Sequence, residues 1–141
     1  MAPTAILWPM LAHVALVFAL YAWLTFARTR AVQRRETEYS AFVLGRDEPL
    51  PVARITRNLA NQFELPVLFY ALVLLLIAVG RVTWIDVAAA WLFFVGRVIH
   101  TLVQTLTDDV VLRGRVFVIN FLAVVVLAGH AVLLAFEGAG R

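Results

Sequence analysis

Four apolar stretches, residues 6–27, 58–80, 82–106 and 116–136, take up most of this 141-residue chain. Each is close to the ~20 residues that an α-helix needs to cross the hydrocarbon of a bilayer. Lipid offers no partner to a free peptide N–H or C=O, so such stretches span as helices. The expected architecture is all-α: an integral membrane four-helix bundle, with residues 1–141 forming a single transmembrane domain. Composition agrees, since a chain that is 63% hydrophobic and 15% charged, with mean hydropathy +0.90, is far from the balance of a soluble domain. The first stretch is expected to be a permanent helix, not a cleaved leader. It lacks a basic n-region, exceeds the about 7–15 residues of a leader's apolar core, and is followed by arginines.

All twelve basic residues are arginine, and they are unevenly placed. Arg28, Arg30, Arg34, Arg35, Arg46, Arg54 and Arg57 lie between the first and second stretches, and Arg113 and Arg115 between the third and fourth. The opposite side holds only Arg81 and Arg141. The positive-inside bias therefore predicts a cytoplasmic first and third loop, with both termini on the non-cytoplasmic side. The net charge of +3 reads as topology plus attraction to membrane lipids, and no interleaving of aromatic and basic residues points to nucleic acid. The small helical unit, without a sorting motif, suits a bacterial inner membrane. The loop 28–57 is the one sizeable extramembrane segment, and Gly45, Pro49 and Pro51 are expected to break any helix there. With no cysteine, thiol chemistry must come from a ligand. His13 and His130 have no carboxylate at metal-ligand spacing, so they are expected to be packed or interfacial, and no metal site is expected. Trp8, Trp84 and Trp91 read as outer belt or packing residues, with Trp23 as the inner counterpart.

The second stretch is anomalous. Its uninterrupted apolar run, residues 65–80, would be about 24 Å long as a helix, short of the ~30 Å core. To span, the helix has to start near Asn58, which draws Asn61 and Glu64 below the interface, and Pro66 is placed to kink it. Spacings of four and three residues put Arg57, Asn61 and Glu64 on one helical face. In the third stretch Arg97 is the only charge between Asp86 and Asp108, ~15 Å from the cytoplasmic end. His100 and Gln104 follow it on the same face. Asn120 enters the same band of depth from the fourth stretch. A charge at mid-membrane costs roughly 2.5–3.5 kcal/mol on insertion scales, so Glu64 and Arg97 are expected to pair or to share a ligand. Two readings stay open: an internal salt bridge, with Asn61 and Asn120 as interhelical hydrogen-bond glue, or a functional site. For Arg57 alone, snorkelling to headgroups is the simpler account.

The spacing Arg57-x3-Asn61-x2-Glu64 at the start of the second helix, followed by "GRVIHT" with Arg97 and His100, resembles the MAPEG superfamily, membrane-associated proteins in eicosanoid and glutathione metabolism. The likeness covers roughly residues 6–136, and "GRVIHT" is particularly similar to the microsomal prostaglandin E synthase branch. The resemblance implies a homotrimer of four-helix subunits that holds glutathione between neighbours in the cytoplasmic half. By position, Arg28 or Arg30, then Arg57, Asn61, Glu64 and Arg97 would grip the tripeptide, with His100 and Gln104 beside them. Arginine forks suit its two carboxylates, and Glu64 suits its ammonium. The family's thiolate-stabilising arginine would be Arg113, sixteen residues after Arg97, with Arg115 as the alternative. The sequence departs from that branch at Gln104 and Phe117, which stand where tyrosines occur and remove two hydroxyls.

The function these features imply is a glutathione-binding membrane trimer of transferase or peroxidase type, adding the thiolate to a lipophilic electrophile that arrives from the bilayer. The alternative is a non-catalytic trimer that binds an anionic lipid or small carboxylate in the same intersubunit pocket. A channel or transporter fits less well, because one half of the bundle has almost no polar lining.

Overall fold

The computed structural model describes residues 3–45 and 47–139. Arg46 and Arg141, both counted in the charge asymmetry above, lie outside them. A single helical turn at Pro3–Ile6 leads into α1 (Leu7–Gln33), and the remaining long helices are α2 (Leu50–Asn61), α3 (Leu65–Val79), α4 (Trp84–Leu106) and α5 (Val110–Ala139). Four stretches are long and apolar enough to cross a membrane: Pro3–Gln33, Leu50–Val79, Trp84–Leu106 and Val110–Gly138. The protein is thus an all-helical, multi-pass membrane bundle, with many large apolar side chains exposed on its outer surface. Trp8, Trp23, Trp84 and Trp91 are all exposed.

Each helix end has a local cause. α1 runs past the expected boundary at residue 27 because residues 28–33 contain no breaker. It stops where Arg35 turns left-handed (φ 59°), with Arg35 N–H donating to the Val32 carbonyl and Glu36 N–H to that of Ala31, a Schellman closure. α3 ends the same way at Gly80 (φ 70°). α4 opens on a capping box in which the Thr83 hydroxyl accepts from Asp86 N–H while the Asp86 carboxylate accepts from Thr83 N–H.

Two expectations about the loops need correction. The segment 28–57 is not a continuous loop, because residues 50–57 belong to α2. Pro51 falls in the first turn of that helix, where its missing N–H costs nothing, so it starts a helix instead of breaking one. α5 begins at Val110 and not near 116, since the Asp109 carboxylate caps it by accepting from Leu112 N–H at 2.8 Å. Arg113 and Arg115 consequently project from the first turns of a helix.

The core has two apolar parts. Ile6, Phe69, Val73, Leu76, Ala90, Phe93 and Leu127 form one, centred on stacked Phe69 and Phe93 rings 4.1 Å apart. Leu20, Leu24, Ala31, Val52, Ile55 and Leu59 form the other. His13 lies between Ile6 of the first part and Leu20 of the second in sequence and belongs to neither. It is part of a buried polar layer with Asn58, Gln62, Arg97, Thr101 and Gln104.

Candidate functional site

The polar layer exists because the second span is broken. α2 stops at Asn61, Gln62 and Phe63 form a turn, Glu64 adopts a non-helical backbone (φ −95°, ψ −102°), and α3 restarts at Leu65. Pro66 explains the position of the break: it has no N–H for the carbonyl of Gln62, and its ring would clash there in a continuous helix. The break frees the Asn61 carbonyl, which accepts from Arg97 Nη2 at 2.8 Å. Gln62 Oε1 accepts from Arg97 Nε at 3.1 Å and from Nη2 at 2.9 Å. Arg97 is only 1% exposed, so a full cation is held in the bundle by neutral oxygens.

This arrangement corrects the expected direct pairing of Arg97 with Glu64. The break puts the Gln62 amide and the Asn61 carbonyl, not the Glu64 carboxylate, in contact with the guanidinium. Among the described residues Glu64 makes no ion pair. Both side chains nevertheless line one cavity of about 300 Å³ between the α2–α3 break, α4 and the first turns of α5. Around it stand Arg57, Asn61, Glu64, Arg97, His100, Gln104, Arg113 and Phe117. Three guanidinium groups thus face one carboxylate, and the cavity favours an occupant with more anionic than cationic groups. A second cavity of about 280 Å³ adjoins it and shares Arg57, Gln104, Val110 and Arg113. The Arg54–Asp108 ion pair sits beside this second cavity.

Other singled-out residues lie elsewhere. Arg28 is bonded to Glu48 and Thr56 and stacks over the Phe42 ring, 5.0 Å from its centroid. Arg30 and Arg115 are exposed, and none of the three lines the cavity. Asn120 is fully buried, but it packs against Gly96 between α4 and α5 and does not reach the cavity.

Sequence reasoning missed three partners. Gln62, next to the recognised Asn61, is the hub of the polar layer, and its signal was the missing backbone donor four residues later at Pro66. His13 is not isolated: its ring meets Gln62 Oε1 at 3.0 Å and the Tyr70 hydroxyl at 2.6 Å. His130 is also partnered, with Nδ1 2.9 Å from each oxygen of the capping carboxylate Asp86. Neither pairing shows in local sequence, since the partners are far apart along the chain.

The model of the MAPEG family matches residues 6–133. The chain belongs to the MAPEG family. Its broken second span, its intramembrane arginine and its cationic cavity all lie within the matched region, and membership is consistent with glutathione-related function in a membrane. No curated protein and no solved structure gives a significant match.

Proposed function

We propose that this MAPEG protein binds glutathione in the cavity beside the α2–α3 break and transfers its thiolate to a lipophilic electrophile, as a transferase or peroxidase. The observation that carries the reading is the charge pattern of the cavity, in which Arg57, Arg97 and Arg113 stand with a single carboxylate, Glu64, that makes no ion pair among the described residues. Glutathione has two carboxylates, one ammonium and a thiol that ionises, which matches three cations and one anion. Arg97, satisfied on Nε and Nη2 by neutral acceptors, keeps its charge and its Nη1 for a ligand carboxylate. Glu64 is free for the ammonium. Asn61, His100 and Gln104 line the space between. Arg113, on the first turns of α5, stabilises the thiolate, and Arg115 is the neighbouring alternative. No part of this chemistry requires a metal.

In this reading the working unit is a homotrimer in a bacterial inner membrane, with both termini on the non-cytoplasmic side, and Arg28 or Arg30 completes the site across a subunit boundary. The likeness of "GRVIHT" to the microsomal prostaglandin E synthase branch supports the trimer and its shared site. Phe117 favours a second reading, because it leaves the Arg113 side of the cavity without a hydroxyl: a trimer that holds an anionic lipid or small carboxylate and performs no chemistry. Thermal stabilisation of the purified protein by glutathione, together with turnover of a generic aromatic electrophile, tests the first reading. Stabilisation by a lipid phosphate or simple dicarboxylate, with neither glutathione binding nor turnover, would replace it with the second. Native mass spectrometry showing only monomer or dimer in mild detergent would remove the shared site.

A further inference from the structure

The orientation of every amide in the polar layer follows from Arg97. Its Nε and Nη2 can only donate, so the Gln62 atom they meet is the oxygen, and the Gln62 nitrogen is left to donate elsewhere. It donates to Asn58 Oδ1 at 2.9 Å. Asn58 Nδ2 in turn donates to Gln104 Oε1 at 3.2 Å, and Asn61 Nδ2 donates to the same oxygen at 2.9 Å. On the far side, Gln62 Oε1 also meets His13 Nε2, so that nitrogen carries the proton and Nδ1 accepts from the Tyr70 hydroxyl. The bonds therefore run head to tail in one sense, from Tyr70 through His13, Gln62 and Asn58 to Gln104. Chains of this kind polarise each member in the same direction.

The chain ends at a donor. With Gln104 Oε1 occupied twice, Nε2 remains. Among the described residues it meets no protein acceptor, yet it is absent from the sealed, unpartnered atoms of the interior. Gln104 lines both cavities and shares that common wall with Arg57 and Arg113. Its free N–H groups thus open beside Arg113.

We propose that Gln104 donates a hydrogen bond to the anionic atom of the bound substrate that faces Arg113, and that Asn58, Gln62 and His13 are positioning residues that hold this amide with its nitrogen toward the cavity. For the identity of that atom, a thiolate sulfur, the inference rests on the glutathione reading above. The polarity of the chain prevents the amide from turning its oxygen to the anion.

The experiment uses the purified full-length protein in detergent or nanodiscs. Glutathione and S-methylglutathione affinities are measured by calorimetry, and the bound thiolate is followed by its ultraviolet absorbance across pH. Gln104→Met is expected to move the thiolate midpoint up by about one pH unit, the size expected for a lost hydrogen bond to a charged group. S-methylglutathione, which has no thiolate, should bind within about twofold of wild type. Gln104→Glu keeps an acceptor for Asn58 and Asn61 and should shift the midpoint further, which covers the case where Gln104→Met fails to fold. Asn58→Leu, at a residue that lines neither cavity, should shift the midpoint in the same direction. An unmoved midpoint, or equal losses for the two ligands, overturns the inference while leaving glutathione binding intact. Failure of wild type to bind glutathione is a different result: it removes the functional reading, and the inference with it.

Discussion

Among the described glycines, Gly96 is the one where an added methyl group meets a neighbouring helix, through Asn120 of α5. A Cβ added there would lie 2.2 Å from Asn120 Oδ1 and 3.1 Å from its Cγ. Real Cβ contacts start at 3.0 Å, so the amide or the whole of α5 must retreat by about 0.8 Å. Asn120 is 0% exposed, so its displacement has to be taken up inside the bundle. Overpacking of this kind costs about 1–3 kcal/mol, and Gly96→Ala should lower stability by that amount in equilibrium unfolding from mixed micelles. The companion change is Asn120→Ala. Neither amide atom of Asn120 meets a hydrogen-bond partner among the described residues, so truncation loses packing and little else. The double variant places the new methyl in the vacated space, and it should be more stable than the sum of the single changes by about 1–3 kcal/mol. If Gly96→Ala stays within about 0.5 kcal/mol of wild type, or if the two changes simply add, the close contact does not hold α4 to α5.

Arg113→Ala is expected to lower conjugation of an aromatic electrophile by about tenfold or more while glutathione affinity stays within a few-fold, and Arg115→Ala should leave the rate near wild type. Loss of rate at Arg115 with Arg113 unaffected would place the thiolate two residues further along α5. Arg57→Ala and Glu64→Ala should each weaken glutathione affinity by about tenfold in calorimetry, with turnover at saturating glutathione changing less. Gly80→Ala meets no atom within 4 Å but must hold φ at 70°. It should cost about 1–2 kcal/mol in the same unfolding titration, with Gly80→Asn costing less; equal stability of all three proteins would contradict the left-handed closure.

Most of the fold could be read from the sequence, because lipid imposes one rule on every backbone group and four stretches of sufficient length obey it. Helix ends were harder. Arg113 and Arg115 interrupt the hydropathy of the last span without interrupting its helix, whose start is set by Asp109. Pro51 resembles a loop residue until its place in a first turn is known. Glu64 and Arg97 stood out because charges are rare in a membrane, and that rarity also made their mutual pairing look necessary. The structure relieves Arg97 through Gln62 and a backbone carbonyl, neither of which is charged and neither of which carries a signal in composition. His13 and Asp86 show the same limit: each finds its partner across the bundle, 49 and 44 residues away, and no local period encodes such a distance.

The break at Gln62–Glu64 bears on how the protein enters the membrane. α3 has 15 residues, about 22 Å of helix, and falls short of the ~30 Å of hydrocarbon on its own. The remaining depth is supplied by α2, whose buried face carries Asn58 beside Val52, Ile55 and Leu59. The one cation of α4 is in turn masked by the end of α2. Inserted alone, the second span would carry the Gln62 amide and the third the Arg97 guanidinium without these partners; packed as a hairpin, each covers the other's polarity.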